Sequence, residues 1–264
     1  MSALVLAMPA MAQQEAPESP TIRRLQVQVL PEFDDPRVLV IVQGHVAAPD
    51  GRLPEALNLR VPEDAQINQV AVMNTTTGGL EPLSFDQSPA AAGEDWTLVT
   101  FAPESAHFFY EYYYDPFTGD SDERFFSFRF PVVHTVEDLR IEIQQPLRSE
   151  GFELSPPAEL SRADEMLGFT YHQYEMGRVA SGASATVDVR YTKSDSDPSI
   201  SREELMAAQM MAGDPEAAMA DGMQPAPLPK SESTVPRLLW MGLALGGVIL
   251  VGVLGRGRLS GGRT

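Results

Sequence analysis

The sequence predicts an all-β fold: a single antiparallel β-sandwich, jelly-roll or immunoglobulin-like, followed by one C-terminal transmembrane helix. Three observations predict it. Between residues 21 and 192, about ten short runs alternate apolar and polar side chains or are wholly apolar. Pro, Gly, Asp and Ser clusters separate those runs, with almost no helical periodicity. Finally, Leu238–Gly255 is eighteen residues long and carries neither charge nor proline. As a helix it covers roughly 27 Å, close to the ~30 Å hydrocarbon core of a bilayer.

The chain opens with Ala3 to Met11, a short apolar run, and then Ala10-Met11-Ala12, the small-x-small form of a signal-peptidase site. Residues 1–12 read as a truncated signal peptide without its positive flank, which implies a start further upstream. Residues 13–20 form a Gln/Glu/Pro leader. Leu25, Val27 and Val29 alternate with Arg24, Gln26 and Gln28, the pattern of a half-buried strand. PEFDDP, at 31–36, is a turn, and Val38–Val42 is continuous enough for a central strand. Further strands are expected near 55–61, 66–73 and 96–101.

His107–Tyr114 puts Phe108, Tyr110, Tyr112 and Tyr114 on one face. Arg124–Phe130 does the same with Phe126, Phe128 and Phe130, and the two are expected to form a hairpin. Leu139, Ile141 and Ile143 mark another strand. Glu159–Glu165 fits one helical turn. Gly168–Tyr174 and the run through Val187, Val189 and Tyr191 complete a sandwich over residues 21–192.

Residues 193–236 form an acidic linker rich in Met, Pro and Ala. Ser201-x-x-Glu204 is a capping box, which places a short helix at 201–212. The span itself occupies 237–256 and a basic tail 257–264. All 37 acidic residues and 15 of the 19 basic ones precede residue 237, a net −22, against +4 from residue 237 onward. Positive flanks stay in the cytoplasm. The tail is therefore expected inside and the sandwich outside, extracellular or periplasmic. Gly242 and Gly246 form a GxxxG, a surface for a helix dimer. The ending, Val235-Pro236, the apolar span and the Arg cluster to 258, resembles a bacterial C-terminal sorting signal of the PEP-CTERM kind. That resemblance implies processing and release; here Arg237-Leu238 stand where the family has Glu-Pro.

Composition narrows the chemistry. There is no cysteine, which excludes disulfides, thiolate metal sites and Cys nucleophiles. The acidity argues against nucleic acid as a partner. Asp115, Asp120, Asp122 and Glu123 crowd one loop and offer oxygens to Ca²⁺, though without EF-hand spacing. His107, Glu111 and Tyr113 share the opposite face of the aromatic strand. Exposed, that face is a platform for a sugar or peptide; covered, it is core. Met206, Met210, Met211, Met219 and Met223 are soft ligands of the type Cu(I) takes, yet no histidine follows His172. No catalytic motif is legible and no cofactor is expected apart from Ca²⁺. The reading is a non-enzymatic, single-pass envelope protein whose sandwich binds a partner, a protein or a glycan, or supports an envelope complex. The alternative is a carbohydrate- or peptide-binding domain serving a hydrolase, or a hydrolase itself.

Overall fold

The computed structural model describes residues 19–48, 51–74, 79–91, 93–117, 122–165, 167–201 and 203–204. The expected signal peptide, the bulk of the expected linker, the expected membrane span, the basic tail and Asp120 lie outside the described residues. Among the described residues no helix is long and apolar enough to cross a membrane.

The fold is all-β. Its strands are β1 (Thr21–Pro31), β2 (Val38–Val46), β3 (Leu57–Pro62), β4 (Gln66–Met73), β5 (Leu80–Pro82), β6 (Asp86–Pro89) and β7 (Trp96–Phe101). Then follow β8 (His107–Tyr114), β9 (Glu123–Pro131), β10 (Thr135–Gln145), β11 (Glu150–Ser155), β12 (Leu160–Ala163), β13 (Thr170–Val179) and β14 (Ser184–Thr192). Eight strands make one sheet in the order β12-β13-β10-β1-β2-β8-β4-β5. Two three-stranded sheets, β11-β14-β9 and β3-β7-β6, complete the described residues.

Period-two alternation decides what each face buries. Leu25, Val27 and Val29 of β1 stand beside Leu139, Ile141 and Ile143 of β10 on one face of the large sheet. Against them pack Phe126, Phe128 and Phe130 of β9, Val187, Val189 and Tyr191 of β14, and Leu57, Leu59 and Val61 of β3. One hydrophobic core thus serves all three sheets. His134 ties the third sheet in: the Asn58 N–H donates to its Nε2 at 3.1 Å. The continuous run Val38–Val42 is buried at every position, because β2 lies near the middle of the large sheet with both faces covered.

The structure departs from the sequence reading at four places. β8 and β9 are not a hairpin. β8 pairs with β2 and β4, whereas β9 pairs with β14 in another sheet. Both strands have aromatic inner faces, and alternation names a face without naming a partner. The fold is not antiparallel throughout, since β1 and β10 run parallel. A parallel pair needs a long crossover, and the intervening strands supply it. Leu160–Ala163, inside the expected helical turn, is the edge strand β12, its form set by pairing with β13. Residues 193–200, expected to open the linker, belong to the folded part: Lys193, Ser199 and Ile200 are buried. The Ser199 and Ile200 N–H groups donate to the carbonyls of Glu32 and Phe33 at 2.7 and 2.9 Å. Just beyond, the capping box is formed: Glu204 N–H donates to Ser201 Oγ at 3.2 Å, and Ser201 N–H to Glu204 Oε2 at 2.8 Å.

Gly44 in β2 is required by close approach. A Cβ there would lie 2.0 Å from the Phe108 ring on β8. Gly44→Ala should therefore destabilise the domain by about 1–3 kcal/mol, as overpacking does. Phe108→Leu in the same chain should recover part of the loss. Urea unfolding of both variants checks this; a Gly44→Ala protein as stable as wild type would show that the ring does not rest on the glycine.

Candidate functional site

The large sheet has a second face, turned away from the shared core. Its lining follows from the residues that alternate with the core set. β1 contributes Arg24, Gln26 and Gln28; β2 contributes Leu39, Ile41, Gln43 and His45; β8 contributes His107, Phe109, Glu111 and Tyr113. All three residues expected to bind a ligand, His107, Glu111 and Tyr113, lie on this face. They do not form one exposed cluster. They occupy successive positions from a polar end to an apolar, covered one.

At the polar end His107 sits directly across from His45, with the imidazoles stacked 4.3 Å apart and 9° from parallel. Burial, His107 and the charges of Arg23 and Arg24 together push His45 below the usual histidine range. The neutral ring is therefore favoured. Phe109 and Ile41 follow, both buried.

At the centre stands Glu111, with 0 % of its surface exposed. A bulge in β4 between Ile67 and Gln69 brings Asn68 within reach, and its amide donates to Glu111 Oε1. Burial raises the Glu111 carboxyl to about 7, against the Asn68 hydrogen bond, which lowers it; the neighbouring Asp34 charge adds to the rise. Tyr113 donates to both oxygens of Asp34, at 2.9 and 3.1 Å. The Arg37 guanidinium lies 4.9 Å from the Tyr113 ring centroid and pairs with Asp35 at 2.7 Å. Burial first, and then Asp34, raise the Tyr113 phenol, so it stays a donor.

Across β1 a second polar group is fully engaged. Glu142 accepts from Gln28 at 3.0 Å and from Gln173 at 2.5 Å. Arg162 approaches it at 3.7 Å. Cross-strand register alone places Gln28, Glu142 and Gln173 in one row.

The apolar end is closed by the chain leaving β14, and a buried charge cluster invisible to sequence reading holds it there. Lys193 has a fully buried ammonium, 3.0 Å from Asp195 Oδ1 and 3.5 Å from Glu32 Oε1. It also donates to the backbone carbonyls of Asp195 and Asp197. Glu32 takes the Tyr191 hydroxyl at 2.8 Å and stands 3.6 Å from Arg124. Its φ of 47° is a left-handed conformation that a non-glycine residue adopts only when its surroundings hold it. Arg148 clasps the same segment, meeting Asp195 at 3.1 Å and the carbonyl of Pro198 at 2.9 Å. Glu32 and Lys193 are 161 residues apart, and nothing local in the sequence pairs them.

Of the acidic loop, Asp115, Asp122 and Glu123 are among the described residues. Asp115 accepts the Phe117 N–H at 3.1 Å, and the Asp122 carbonyl accepts the Lys193 N–H at 2.9 Å. Asp115, Asp122 and Glu123 are all exposed. Among the described residues no three His, Asp or Glu side chains are grouped as a metal would need. A pair that sequence reading missed lies at the sheet edge: Ser161 Oγ and His172 Nδ1 are 2.9 Å apart on paired strands β12 and β13. Phe152 stacks on that imidazole at 5.0 Å, and burial pushes His172 below the usual range.

Lys193→Met should cost about 3–5 kcal/mol of stability, because it leaves the Glu32 carboxylate buried without its ammonium. Adding Glu32→Gln should return much of that loss. Chemical denaturation of the single and double variants measures it; a silent single variant would mean the cluster holds nothing in place.

No family model and no curated protein matches this chain. Among solved structures it is similar to one from Parabacteroides distasonis described as "a putative protease", at 9% identity and a TM-score of 0.38. The match covers 73% of this chain and 43% of that one, so this chain spans less than half that protein's length. A likeness at this level carries no functional argument.

Proposed function

We propose that this chain is a non-enzymatic, single-pass envelope protein whose extracytoplasmic β-sandwich binds a partner. The eight-stranded sheet forms one layer of the sandwich and the two small sheets form the other. The single observation that carries the binding reading is the second face of the large sheet. One end is shut by the Lys193 cluster. The other presents Arg24, Gln26, Gln43, the His45–His107 stack and Arg140 in fixed register. Side chains held on strands make a rigid and pre-organised surface, which lowers the cost of binding. The uncharged run Leu238–Gly255 and the Arg-containing end support anchoring with the C-terminus inside.

The hydrolase alternative has one observation in its favour, the Ser161–His172 pair. A neutral imidazole beside a hydroxyl is the start of a general-base arrangement. His172 Nε2 has no hydrogen-bond partner among the described residues, so an orienting carboxylate is not part of the pair. A fluorophosphonate probe separates the two readings. Labelling lost in Ser161→Ala would favour the hydrolase.

Topology and binding are tested together. Alkaline phosphatase fused after residue 230 should be active and after residue 264 inactive. A photo-crosslinking residue at Gln43 or Arg140 should form a discrete adduct in cells, while one at Arg129, on the outer face of β9, should not. A cytoplasmic 230 fusion sinks the orientation, and equal labelling at all three positions sinks the binding face.

A further inference from the structure

Gln69 and Glu111 are directly opposed on β4 and β8, so their side chains leave the sheet on the same side. Each carries a buried oxygen without a donor: Glu111 Oε2 and Gln69 Oε1. The other oxygen of Glu111 is taken by Asn68. Two buried acceptors side by side, both unmet, each forfeit the hydrogen bonds they would make to water, which destabilises the fold. A carboxylate cannot relieve this, since it only accepts; a carboxylic acid can, since its O–H donates.

We propose that Glu111 is a carboxylic acid in the folded protein, that its proton bridges to Gln69 Oε1, and that losing this proton makes the second sheet face pH-sensitive. The groups around it agree. The 32–37 turn brings Asp34, engaged by Tyr113, and Asp35, engaged by Arg37. Arg37 is committed to Asp35, to Gln66 and to the Tyr113 ring. β4 offers only the neutral Gln66, Asn68 and Gln69. β2 offers Ile41 directly opposite Glu111, with Gln43 and His45 further along. On the same face of β8 the titratable groups are Tyr113 and His107, since Tyr110 and Tyr112 turn to the shared core. Asp34 repels a second negative charge, and apolar Ile41 and Phe109 do not solvate one.

The sign follows from linkage. Burial lifts the folded carboxyl from 4.5 to about 7, so the folded state binds the extra proton between those values. Its stabilising contribution is whole below about pH 4.5 and is lost as pH rises through about 7. The inference stands on the sheet alone and is independent of membrane anchoring and of any partner; its failure would leave the binding reading untouched.

The test uses the full chain in detergent. Urea unfolding from pH 5 to 8.5 should show the unfolding constant rising on the order of 100-fold for wild type. In Glu111→Gln, whose amide donates as the acid does, most of that rise should disappear. Infrared difference spectra should show a protonated-carboxyl stretch that titrates near neutral pH in wild type and is absent in Glu111→Gln. A carboxyl ionising in the ordinary glutamate range would overturn the proposal and mean that the Gln69 amide is turned to donate to a carboxylate. So would a Glu111→Gln protein as pH-dependent as wild type. If Glu111→Gln does not fold, the wild-type infrared titration decides by itself.

Discussion

Everything in this structure depends on the parallel pairing of β1 with β10. It joins β12, β13 and β10 to β1, β2, β8, β4 and β5, and without it the large sheet is two fragments. The pairing is long-range: Gln28 and Glu142 are 114 residues apart. Closing a loop of that length costs on the order of 4 kcal/mol in chain entropy, beyond a constant term. Local contacts cannot offset this. Three apolar pairs, Leu25 with Leu139, Val27 with Ile141 and Val29 with Ile143, do so by burial against β9 and β14. The core and the sheet are therefore one event. β1 finds β10 because both need the same inner surface.

That inner surface leaves the opposite face of the large sheet with a divided character. Where the chain returns after β14, Leu30, Phe33, Leu39, Ile41 and Ile200 form a second apolar cluster. Where it does not return, the face is polar. The buried Lys193–Glu32 pair sets the division, because it pins the returning segment in place. Glu111 sits at the boundary, buried by the apolar side but reached by the polar one through Asn68. A carboxyl at such a boundary is held between two environments.

The local features were legible because their physics is local. Alternation in β1, β10 and β14 named their buried faces, since side chains on a strand point to opposite sides by geometry. The uninterrupted run in β2 named a strand covered on both sides. The capping box at Ser201 and Glu204 was readable because both partners lie within one helical turn. The short edge strands β5, β6, β11 and β12 were not legible. They bury little, so they carry no hydrophobic period, and pairing with a neighbour gives them their form.

By itself the sequence determined the all-β class, the inner faces of the long strands, the acidity of the folded part and the apolar run near the C-terminus. Each is a property of consecutive residues, and periodicity or composition suffices to show it. Tertiary structure alone decided which strands are neighbours, the parallel pair among them. It also decided that β8 and β9 part company into different sheets, and that Lys193 meets Glu32. The reason is physical. An inner face is an attribute of one strand, whereas a partner is a relation between strands, and equivalent apolar faces on β8, β9 and β14 leave that relation to be settled by how the whole core closes.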